Sequence, residues 1–248
     1  MNIAVTTGNS YTVATALQGT REAAKIMGID MKKANVVILG ATGSIGAACA
    51  QVLAREVRYL TLAARNETKL EKLAEQILRT TGLAVRVTAN TKSALKSADI
   101  IIAVTSAVDS IIEPDDLKPG AIVCDVARPR NVSRRVAEMR NDILVIEGGV
   151  VEVPGNVEFG LNFGFPPGMA YACMAETMIL ALEKRYENFT LGRALTVKQI
   201  ETIAQLADKH GFKLAGFRSF ERAIAPEEIA QIKANAAAKI DDQRRVIS

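Results

Sequence analysis

The chain has 248 residues, and its 31 lysines and arginines exceed its 27 aspartates and glutamates to give a net charge of +4. Hydrophobic residues make up 49% of it, which is enough to bury a large core and excludes disorder over most of the length. No apolar window is long enough to predict a transmembrane helix, and the first residues do not resemble a secretory signal. The modest, dispersed charge and the lack of a DNA- or RNA-reading motif argue against a nucleic-acid-binding protein.

The three cysteines are Cys49, Cys124 and Cys173. They are too few and too widely spaced to indicate a disulfide framework or a zinc site, and no other metal-ligand spacing occurs. This use of cysteine is typical of a reducing compartment, so we predict a cytoplasmic protein.

The elements predicted from the sequence begin with a helix over residues 9–27, with Asn9 or Ser10 as its N-cap and Gly28 at its end. Short apolar strands then alternate with helices. The strands are expected over residues 35–39, 59–63, 84–88, 99–104, 121–124 and 143–146. The helices between them are expected over residues 44–56, 67–80 and 92–97. Because these strands are apolar throughout, they are typical of a parallel sheet covered by helices on both faces.

The pattern changes after Gly148 and Gly149. A stretch rich in glycine and proline, 154–168, leads into helices expected over residues 169–186, 196–210 and from Pro226 onward. We therefore predict an α/β protein with a doubly wound parallel sheet of the Rossmann type. Its expected parts are an N-terminal helix that packs on the core (1–32), a dinucleotide-binding domain (33–150) and a helical C-terminal segment (151–248).

A glycine-rich loop, Gly40-Ala-Thr-Gly-Ser-Ile-Gly46, lies between the first strand and its helix. At this spacing the first glycine allows a tight turn, the second lets a pyrophosphate approach the backbone, and the third lets the helix pack closely on the strand. The free N–H groups at the helix start would then bind the phosphates. A tight turn without a ligand is the alternative, but the position between a strand and a helix favours dinucleotide binding.

Arg65 follows the second strand, where an NAD-binding site usually has an acidic residue for the ribose hydroxyls. An arginine there can pair with a 2′-phosphate, which an acidic residue would repel, so we predict NADP as the cofactor. A solvated loop arginine is the alternative. Thr105 and Ser106 follow the fourth strand and either contact ribose and nicotinamide or form an ordinary polar turn. The predicted cofactor contacts are Gly40, Thr42, Gly43, Ser44, Ile45, Gly46, Arg65, Asn66, Thr105 and Ser106.

Cys173 is the candidate nucleophile, because it lies near the start of a predicted helix and off the main apolar stripe of that helix. A thiol at a helix N-terminus can have a lowered pKa and attack an electrophile. Position alone nevertheless favours an inert, buried cysteine. Cys49 and Cys124 lie on packed elements, and packing is the favoured interpretation of both. His210, the only histidine, is at a helix end, and the sequence does not place it near Cys173.

Other polar residues follow the later strands. Asp125 either contacts a ligand or caps its own turn, and Glu147 and Glu152 are candidates for positions facing the cleft. The same region has an excess of basic residues. One interpretation is a binding surface for an acidic partner or a phosphate, but a solvated basic face is the favoured interpretation. These basic residues are Arg128, Arg130, Arg134, Arg135 and Arg140.

Several segments match a known family. They are Thr6-Thr-Gly-Asn-Ser-Tyr-Thr12, the 40–46 loop, Ala64-Arg-Asn66, Gly148-Gly-Val-Val-Glu152, Tyr171-Ala-Cys-Met-Ala-Glu176, Phe189-Thr-Leu-Gly-Arg193 and His210-Gly-Phe212. On these residues the chain resembles the cyanobacterial long-chain fatty acyl-carrier-protein reductases and their bacterial relatives, which are described as predicted amino-acid or shikimate dehydrogenases. The glycine loop is common to many families, whereas the segment ending at Glu176 together with the downstream Leu-Gly-Arg is much more specific.

The resemblance implies that Cys173 is the acyl-accepting nucleophile and that NADPH is the cofactor, in agreement with Arg65. It also implies an acyl thioester substrate, which is either a small molecule or bound to an acidic acyl carrier protein. A homo-oligomer is compatible with the resemblance. The sequence departs from the family in two ways. The family has a further N-terminal region that helps to bind the acyl chain and that is missing from this sequence, which suggests either a fragment or a shorter relative. The sequence also has Tyr11 where a histidine is expected. We therefore expect long-chain thioesters to be reduced more poorly than short-chain ones.

Three functions are compatible with these residues. The first is an NADPH-dependent reductase in which the Cys173 thiolate attacks a thioester and hydride transfer releases an aldehyde. The second is an NADP-linked alcohol or amino-acid dehydrogenase of the shikimate type, in which Cys173 is structural. The third is a noncatalytic NADP-binding domain.

Overall fold

The computed structural model describes residues 3–106, 111–162, 164–192 and 194–247. None of the helices in these ranges is both long and apolar enough to cross a membrane. In chain order the elements are α1 (Asn9–Met27), β1 (Asn35–Leu39), α2 (Ser44–Leu53), β2 (Tyr59–Ala63), α3 (Glu67–Thr81), β3 (Arg86–Thr88), α4 (Thr91–Ser97), β4 (Ile100–Ala103), β5 (Ile122–Asp125), α5 (Arg134–Met139), β6 (Leu144–Glu147), β7 (Val150–Glu152), β8 (Met169–Tyr171), α6 (Ala172–Leu182), α7 (Val197–His210), β9 (Lys213–Leu214), β10 (Arg218–Ser219), β11 (Arg222–Ala223) and α8 (Pro226–Ile247).

Strands β1 to β6 form one parallel sheet in the order β3-β2-β1-β4-β5-β6. β1 is central, with its Val36 opposite Leu60 of β2 and Ile100 of β4. The chain therefore runs outward from β1 to β3 and then continues from β4 to β6 on the other side, which confirms the predicted doubly wound sheet. Sheets whose strand order reverses in this way bind ligands in a crevice at the carboxyl ends of the strands, which here falls between β1 and β4.

Successive residues of each strand are buried on opposite faces of this sheet. In β1, Val36 and Ile38 pack with α1, α2 and α3, whereas Val37 and Leu39 pack with α4 and α5. Both faces therefore need apolar side chains, and each one buried contributes about 1.5–3 kcal/mol to stability. This two-sided burial explains why continuous apolar runs predicted all six strands to within two residues at each end.

Helix α1 has the predicted bounds and ends, as predicted, at Gly28, whose φ of 77° is in the left-handed region. The predicted N-cap at Asn9 or Ser10 is wrong. The N-cap is Gly8, which has no side chain to offer, and the hydroxyl of Ser10 instead donates to the Glu176 carboxylate of α6 (Oγ to Oε2, 2.6 Å). The start of α1 is thus stabilised by a carboxylate that is distant in the sequence.

The C-terminal segment contains strands in addition to the predicted helices. Residues 169–186, predicted as one helix, form the short strand β8 followed by α6. β8 pairs with β7, and β7 also pairs with β9, in a small antiparallel sheet, while β10 and β11 form a hairpin. These strands have two or three residues each, which is too short for a period of two to be visible in the sequence. The short helix α5 was not predicted either.

Candidate functional site

The glycine loop makes a turn that larger residues would obstruct. Gly40 has a φ of 87°, and a Cβ atom there would lie 2.9 Å from the Cα of Thr105 after β4. A Cβ atom on Gly46 would lie 2.4 Å from the carbonyl oxygen of Gly40. The first and third glycines are therefore needed for the close approach of β1, α2 and the end of β4, as their spacing predicted.

The start of α2 fits the pyrophosphate of a dinucleotide. Its N-cap, Gly43, contributes no side-chain hydrogen bond, and its first turn has no acidic residue. The Ser44 hydroxyl is buried and has no hydrogen-bond partner among the described residues. Backbone N–H groups at a helix start attract an anion, and an unsatisfied buried hydroxyl can donate to one. The residues present thus suit the predicted phosphate contact.

The end of β2 presents a free basic side chain. Arg65 is exposed, and it forms no ion pair with the residues that the structure describes. The neighbouring Asn66 caps α3 by accepting from the N–H of Lys69 at 2.9 Å. The structure therefore gives Asn66 a structural role and leaves the Arg65 guanidinium available for a phosphate.

The turns after β4 and β5 are tied together. Asp125 is buried at the end of β5, where its carboxylate accepts from the N–H groups of Ala127, Asn131 and Val132 at 2.8–3.1 Å. Burial raises the pKa of the Asp125 carboxyl, and these N–H donors oppose that effect. The Asn131 amide in turn bonds the backbone N–H and C=O of Thr105. Of the two roles left open for Asp125, the structure supports the turn cap, which holds Thr105 in place at the crevice.

Cys173 lies at the same edge of the sheet, on the far side from the glycine loop. The N–H of Ala172, the first residue of α6, donates to the carbonyl oxygen of Gly149 at 2.7 Å, and Gly149 follows the carboxyl end of β6 closely. β6 is three strands from β1, which is roughly 14 Å at about 4.8 Å per strand. The edge thus has the glycine loop near its centre, after β1, and Cys173 beside its β6 end.

The buried Glu176, one turn after Cys173, gathers three of the segments that carry the family resemblance. Its carboxylate accepts from the hydroxyls of Thr6, Ser10 (2.6 Å) and Thr190 (2.8 Å) and from the backbone N–H of Tyr11 (2.8 Å). No cation pairs with it among the described residues, so hydrogen bonds alone satisfy this buried carboxylate. The cluster holds the chain before α1 against the start of α6.

The sequence singled out this cluster only through the resemblance. Thr6, Glu176 and Thr190 lie within the quoted segments, but nothing in their spacing predicted that they meet, because 14 to 184 residues separate the bonded pairs. Arg193, which ends one of those segments, lies outside the described residues.

Cys173 is exposed, whereas Cys49 and Cys124 are buried, and all three are free thiols. Partial burial of its sulfur raises the pKa of Cys173, as does the nearby Glu176 charge, while the backbone N–H groups of Met174 and Cys173 oppose the rise. The pKa of Cys173 is therefore not lowered, as it can be for a thiol at a helix start, because desolvation outweighs those N–H groups. Complete burial raises the pKa of Cys49 and raises that of Cys124 to about 12.

The structure separates His210 from Cys173. His210 contacts Glu183 just after the end of α6 (Nε2 to Oε1, 2.6 Å), and Lys209 contacts the same oxygen at 2.5 Å. Cys173 is in the first turn of α6, so roughly 15 Å of helix lies between the two. His210 joins the ends of α6 and α7 and does not form a Cys–His unit with Cys173.

Much of the basic region after β5 is paired. Arg130 donates to Glu147 of β6 at 2.9 Å and to Glu221 of the β10–β11 hairpin at 2.9 Å, and Arg128 lies 3.5 Å from Glu147. Glu147 is therefore a structural partner of arginines, and Glu152 is exposed. Among the described residues no group of acidic, cysteine or histidine side chains could hold a metal ion.

Comparisons with known proteins agree with this geometry. The family model of shikimate / quinate 5-dehydrogenase matches residues 21–146. Aminotransferase PigE of a Serratia species is 32% identical over 235 residues, which cover 93% of this chain and 27% of that protein. The long-chain acyl-[acyl-carrier-protein] reductase of Synechococcus elongatus is 33% identical over 216 residues, covering 84% of this chain and 61% of that one. A glutamyl-tRNA reductase of Methanosarcina barkeri is 32% identical over 117 residues, covering 43% of this chain and 25% of that one.

The chain thus spans less than two thirds of each of these relatives. The family model, in contrast, matches half of the chain, from the middle of α1 to β6, and includes the glycine loop and the strand ends that line the crevice. The chain belongs to the shikimate / quinate 5-dehydrogenase family.

Proposed function

We propose that the chain is an NADPH-dependent reductase of acyl thioesters that is acylated on Cys173. The observation that carries this proposal is an exposed cysteine at the start of α6, beside the carboxyl edge of a nucleotide-binding sheet. The similarity to the acyl-[acyl-carrier-protein] reductase supports it, because that similarity covers 84% of this chain. Buried Cys49 and Cys124 are unsuited to the role.

In the first step the Cys173 sulfur forms a bond to the thioester carbonyl carbon, and the bond between that carbon and the departing sulfur breaks. The proton lost by the Cys173 thiol ends on the departing thiol. The N–H groups of Cys173 and Met174 stabilise the attacking thiolate, since they favour its charged form. When bound, reduced nicotinamide supplies a hydride to the acyl carbon, so that an aldehyde leaves and Cys173 returns as a thiolate.

The rest of the site positions this cysteine. Glu176 accepts from Thr6, before α1, and from Ser10 and Tyr11 in the first turn of α1. Gly8, between these residues, lies directly against Cys173. The bond from Ala172 to Gly149 ties the start of α6 to the sheet edge. A nucleophile held in this way loses little freedom on attack, which favours catalysis.

The choice of NADPH over NADH follows from Arg65. Its exposed guanidinium at the end of β2 can pair with a 2′-phosphate through charge-assisted hydrogen bonds. The glycine loop, the Ser44 hydroxyl and the start of α2 would hold the pyrophosphate.

The test is acylation in the absence of cofactor. We expect a short-chain acyl thioester to add one acyl group to Cys173, measured by the mass of the intact protein and of its peptides. Adding NADPH should then remove the acyl group with formation of one aldehyde per NADPH oxidised. The C173A variant should take up no acyl group and still bind NADPH, whereas the C124A control, which lacks a buried thiol, should behave like the parent. Equal NADPH oxidation by the parent and C173A would contradict the proposal.

The family-model match favours a second candidate, an NADP-linked alcohol or amino-acid dehydrogenase without covalent catalysis. In that case C173A would keep its activity and NADP+ would be reduced by an alcohol or amino acid. Thioesters would neither acylate the protein nor oxidise NADPH.

A further inference from the structure

Arg218 in β10 is a buried arginine that no carboxylate neutralises. The residue is 5% exposed, and it takes part in none of the ion pairs among the described residues. One of its terminal N–H groups donates to the carbonyl oxygen of Glu221, while its Nε has no hydrogen-bond partner in the described part of the chain. Burying a charged group without a partner is costly, so such a group indicates a missing partner.

The nearby carboxylates pair with other arginines and not with Arg218, and one of their oxygens, the buried Oε2 of Glu147, has no hydrogen bond among the described residues and lies 3.5 Å from Arg128. Glu147 contacts Arg128 and Arg130, and Glu221 contacts Arg130 as well. This cluster at the end of β6 therefore contains three arginines and two glutamates. The surplus positive charge belongs to Arg218, the one member that lacks an ion pair.

Two aromatic rings in contact with each other lie between Arg218 and the start of the helix that carries the candidate nucleophile. Its guanidinium carbon is 5.4 Å from the ring centre of Phe165, and that ring packs edge-on against the ring of Tyr171 at 4.8 Å. The guanidinium is thus within about 10 Å of the Tyr171 ring. Tyr171 is the N-cap of α6 and precedes Cys173 by two residues, so these ring contacts connect Arg218 to the start of the helix that carries the candidate nucleophile.

We propose that Arg218 binds an oxyanionic group, a carboxylate or a phosphate, of the molecule that Cys173 attacks. An arginine held by a backbone carbonyl and an aromatic ring keeps its planar N–H groups oriented for such a group. The identity of the molecule rests on the proposed function, but the anion site itself does not. The substrate class that follows is an acyl thioester with a negative charge either on the acyl group or on the thiol portion.

The direct test uses the whole chain without cofactor. Inorganic phosphate and glutarate are titrated into the protein while the arginine Nε–H resonances are followed by NMR, with the Arg218 resonance assigned by its loss in R218K. We expect the Arg218 resonance to shift with anion concentration until it saturates. The resonance of Arg222, an exposed arginine of the same hairpin that pairs with Glu228, should not shift. R218M should weaken anion binding by about 10- to 100-fold, and R222M should not change it. An Arg218 resonance that does not respond to either anion would overturn the proposal and would indicate a bound water at Nε instead.

A second experiment distinguishes the two sources of the anion. Acylation of Cys173 is compared for acetyl and glutaryl thioesters of N-acetylcysteamine, which has no phosphate, and for acetyl-coenzyme A, which has phosphates. If the anion is on the acyl group, R218M should slow only the glutaryl thioester. If it is on the thiol portion, R218M should slow only the coenzyme A thioester. Equal slowing of all three would contradict an anion site, while absence of any acylation would remove the proposed function and leave the titration result standing.

Discussion

Gly8 lies directly against the backbone of Cys173. A Cβ atom on Gly8 would be 2.3 Å from both the Cα and the carbonyl oxygen of Cys173, and the φ of Gly8 is 73°. The segment that precedes α1 therefore forms one wall around the candidate nucleophile, and only glycine fits that wall without displacing it.

The variant G8A should disturb the site as well as the fold. A positive φ alone costs a non-glycine residue about 1–2 kcal/mol, and the overlap with Cys173 adds to this. G155A is the matched control, because Gly155 has a φ of 85° and nothing within 4 Å of its added Cβ atom. We expect G8A to lower the free energy of unfolding more than G155A and to change the alkylation rate of Cys173. Equal melting temperatures and equal rates in the two variants would show that the contact is unimportant.

Cys173 should react as a thiol of raised pKa. Partial burial raises its pKa, so the thiolate is the minor form at neutral pH and its fraction grows about tenfold per pH unit. We expect the rate of alkylation by limiting iodoacetamide to rise steadily from about pH 7 to about pH 9. Peptide mass spectrometry should find the label on Cys173 before Cys49 or Cys124, which are buried. A rate that levels off near neutral pH would instead indicate a thiolate stabilised by the helix start.

The strands of the sheet could be predicted because each one is encoded by its own run of consecutive residues. The run from Asn35 to Leu39 is apolar and ends at the glycine loop, and its burial on both faces requires just that composition. The end of α1 at Gly28 was predictable for a similar reason, since a left-handed residue closes the helix. The start of α1 was not, because the group that stabilises it, Glu176, is 166 residues away.

Individual residues of the candidate site could be predicted from the sequence, but their positions relative to one another could not. Gly40 and Gly46 were recognised from spacing, since that spacing encodes a turn. The separation of His210 from Cys173 depends on how α6 and α7 pack, which no pattern within either helix determines. Arg218 gave no sign in the sequence, because its burial follows from the hairpin lying beside β6.

Replacing Glu176 with glutamine should loosen the start of α1 and also change Cys173. An amide cannot accept at its nitrogen. If the nitrogen replaces Oε2, the Ser10 hydroxyl and the Tyr11 N–H both lose their acceptor, and if it replaces Oε1, the Thr6 and Thr190 hydroxyls do. We expect E176Q to lower the free energy of unfolding by about 2–4 kcal/mol. Because the Glu176 charge raises the pKa of Cys173, the variant should also shift the alkylation profile to lower pH.

The control for E176Q is E183Q, at the other end of the same helix. Glu183 pairs with Lys209 and His210 near the surface, so its replacement should cost less stability and should leave the Cys173 profile unchanged. If E183Q shifts the pH dependence of Cys173 alkylation as much as E176Q does, the shift is a general effect of changing α6 and not a consequence of losing the hydrogen bonds to Glu176.

Asp142 should be important for attaching α8 to the core. Its buried carboxylate pairs with Arg140 at 2.8 Å and with Lys239 of α8 at 2.7 Å. Burial alone would raise the pKa of Asp142, but these two cations hold it below its usual value. The group therefore adds stability above its unfolded pKa of about 4, and that stability is lost as the pH falls through the folded value.

We expect D142N to lower the free energy of unfolding at neutral pH by about 3 kcal/mol, because it leaves a largely buried arginine without its partner. The difference between D142N and the parent should shrink as the pH is lowered below about 4. E75Q, which breaks an exposed pair with Arg79 on α3, should cost less than about 1 kcal/mol. Urea denaturation at several pH values measures all three proteins, and a pH-independent difference for D142N would contradict the assignment.

Arg65 should determine the preference for NADPH. Losing a charge-assisted pair with the 2′-phosphate should weaken NADPH binding by about 1.5–3 kcal/mol and leave NADH binding nearly unchanged in R65A. Arg58 offers a matched control, since it is an exposed arginine just before β2, at the opposite end of the strand from Arg65. R58A removes the same charge from the protein, so a general electrostatic attraction for NADPH would be reduced equally in both variants. Titration of both cofactors by fluorescence separates these cases, because only a local contact predicts a loss that is confined to R65A and to NADPH. Equal affinity of the parent protein for NADPH and NADH would rule out the role of Arg65 altogether.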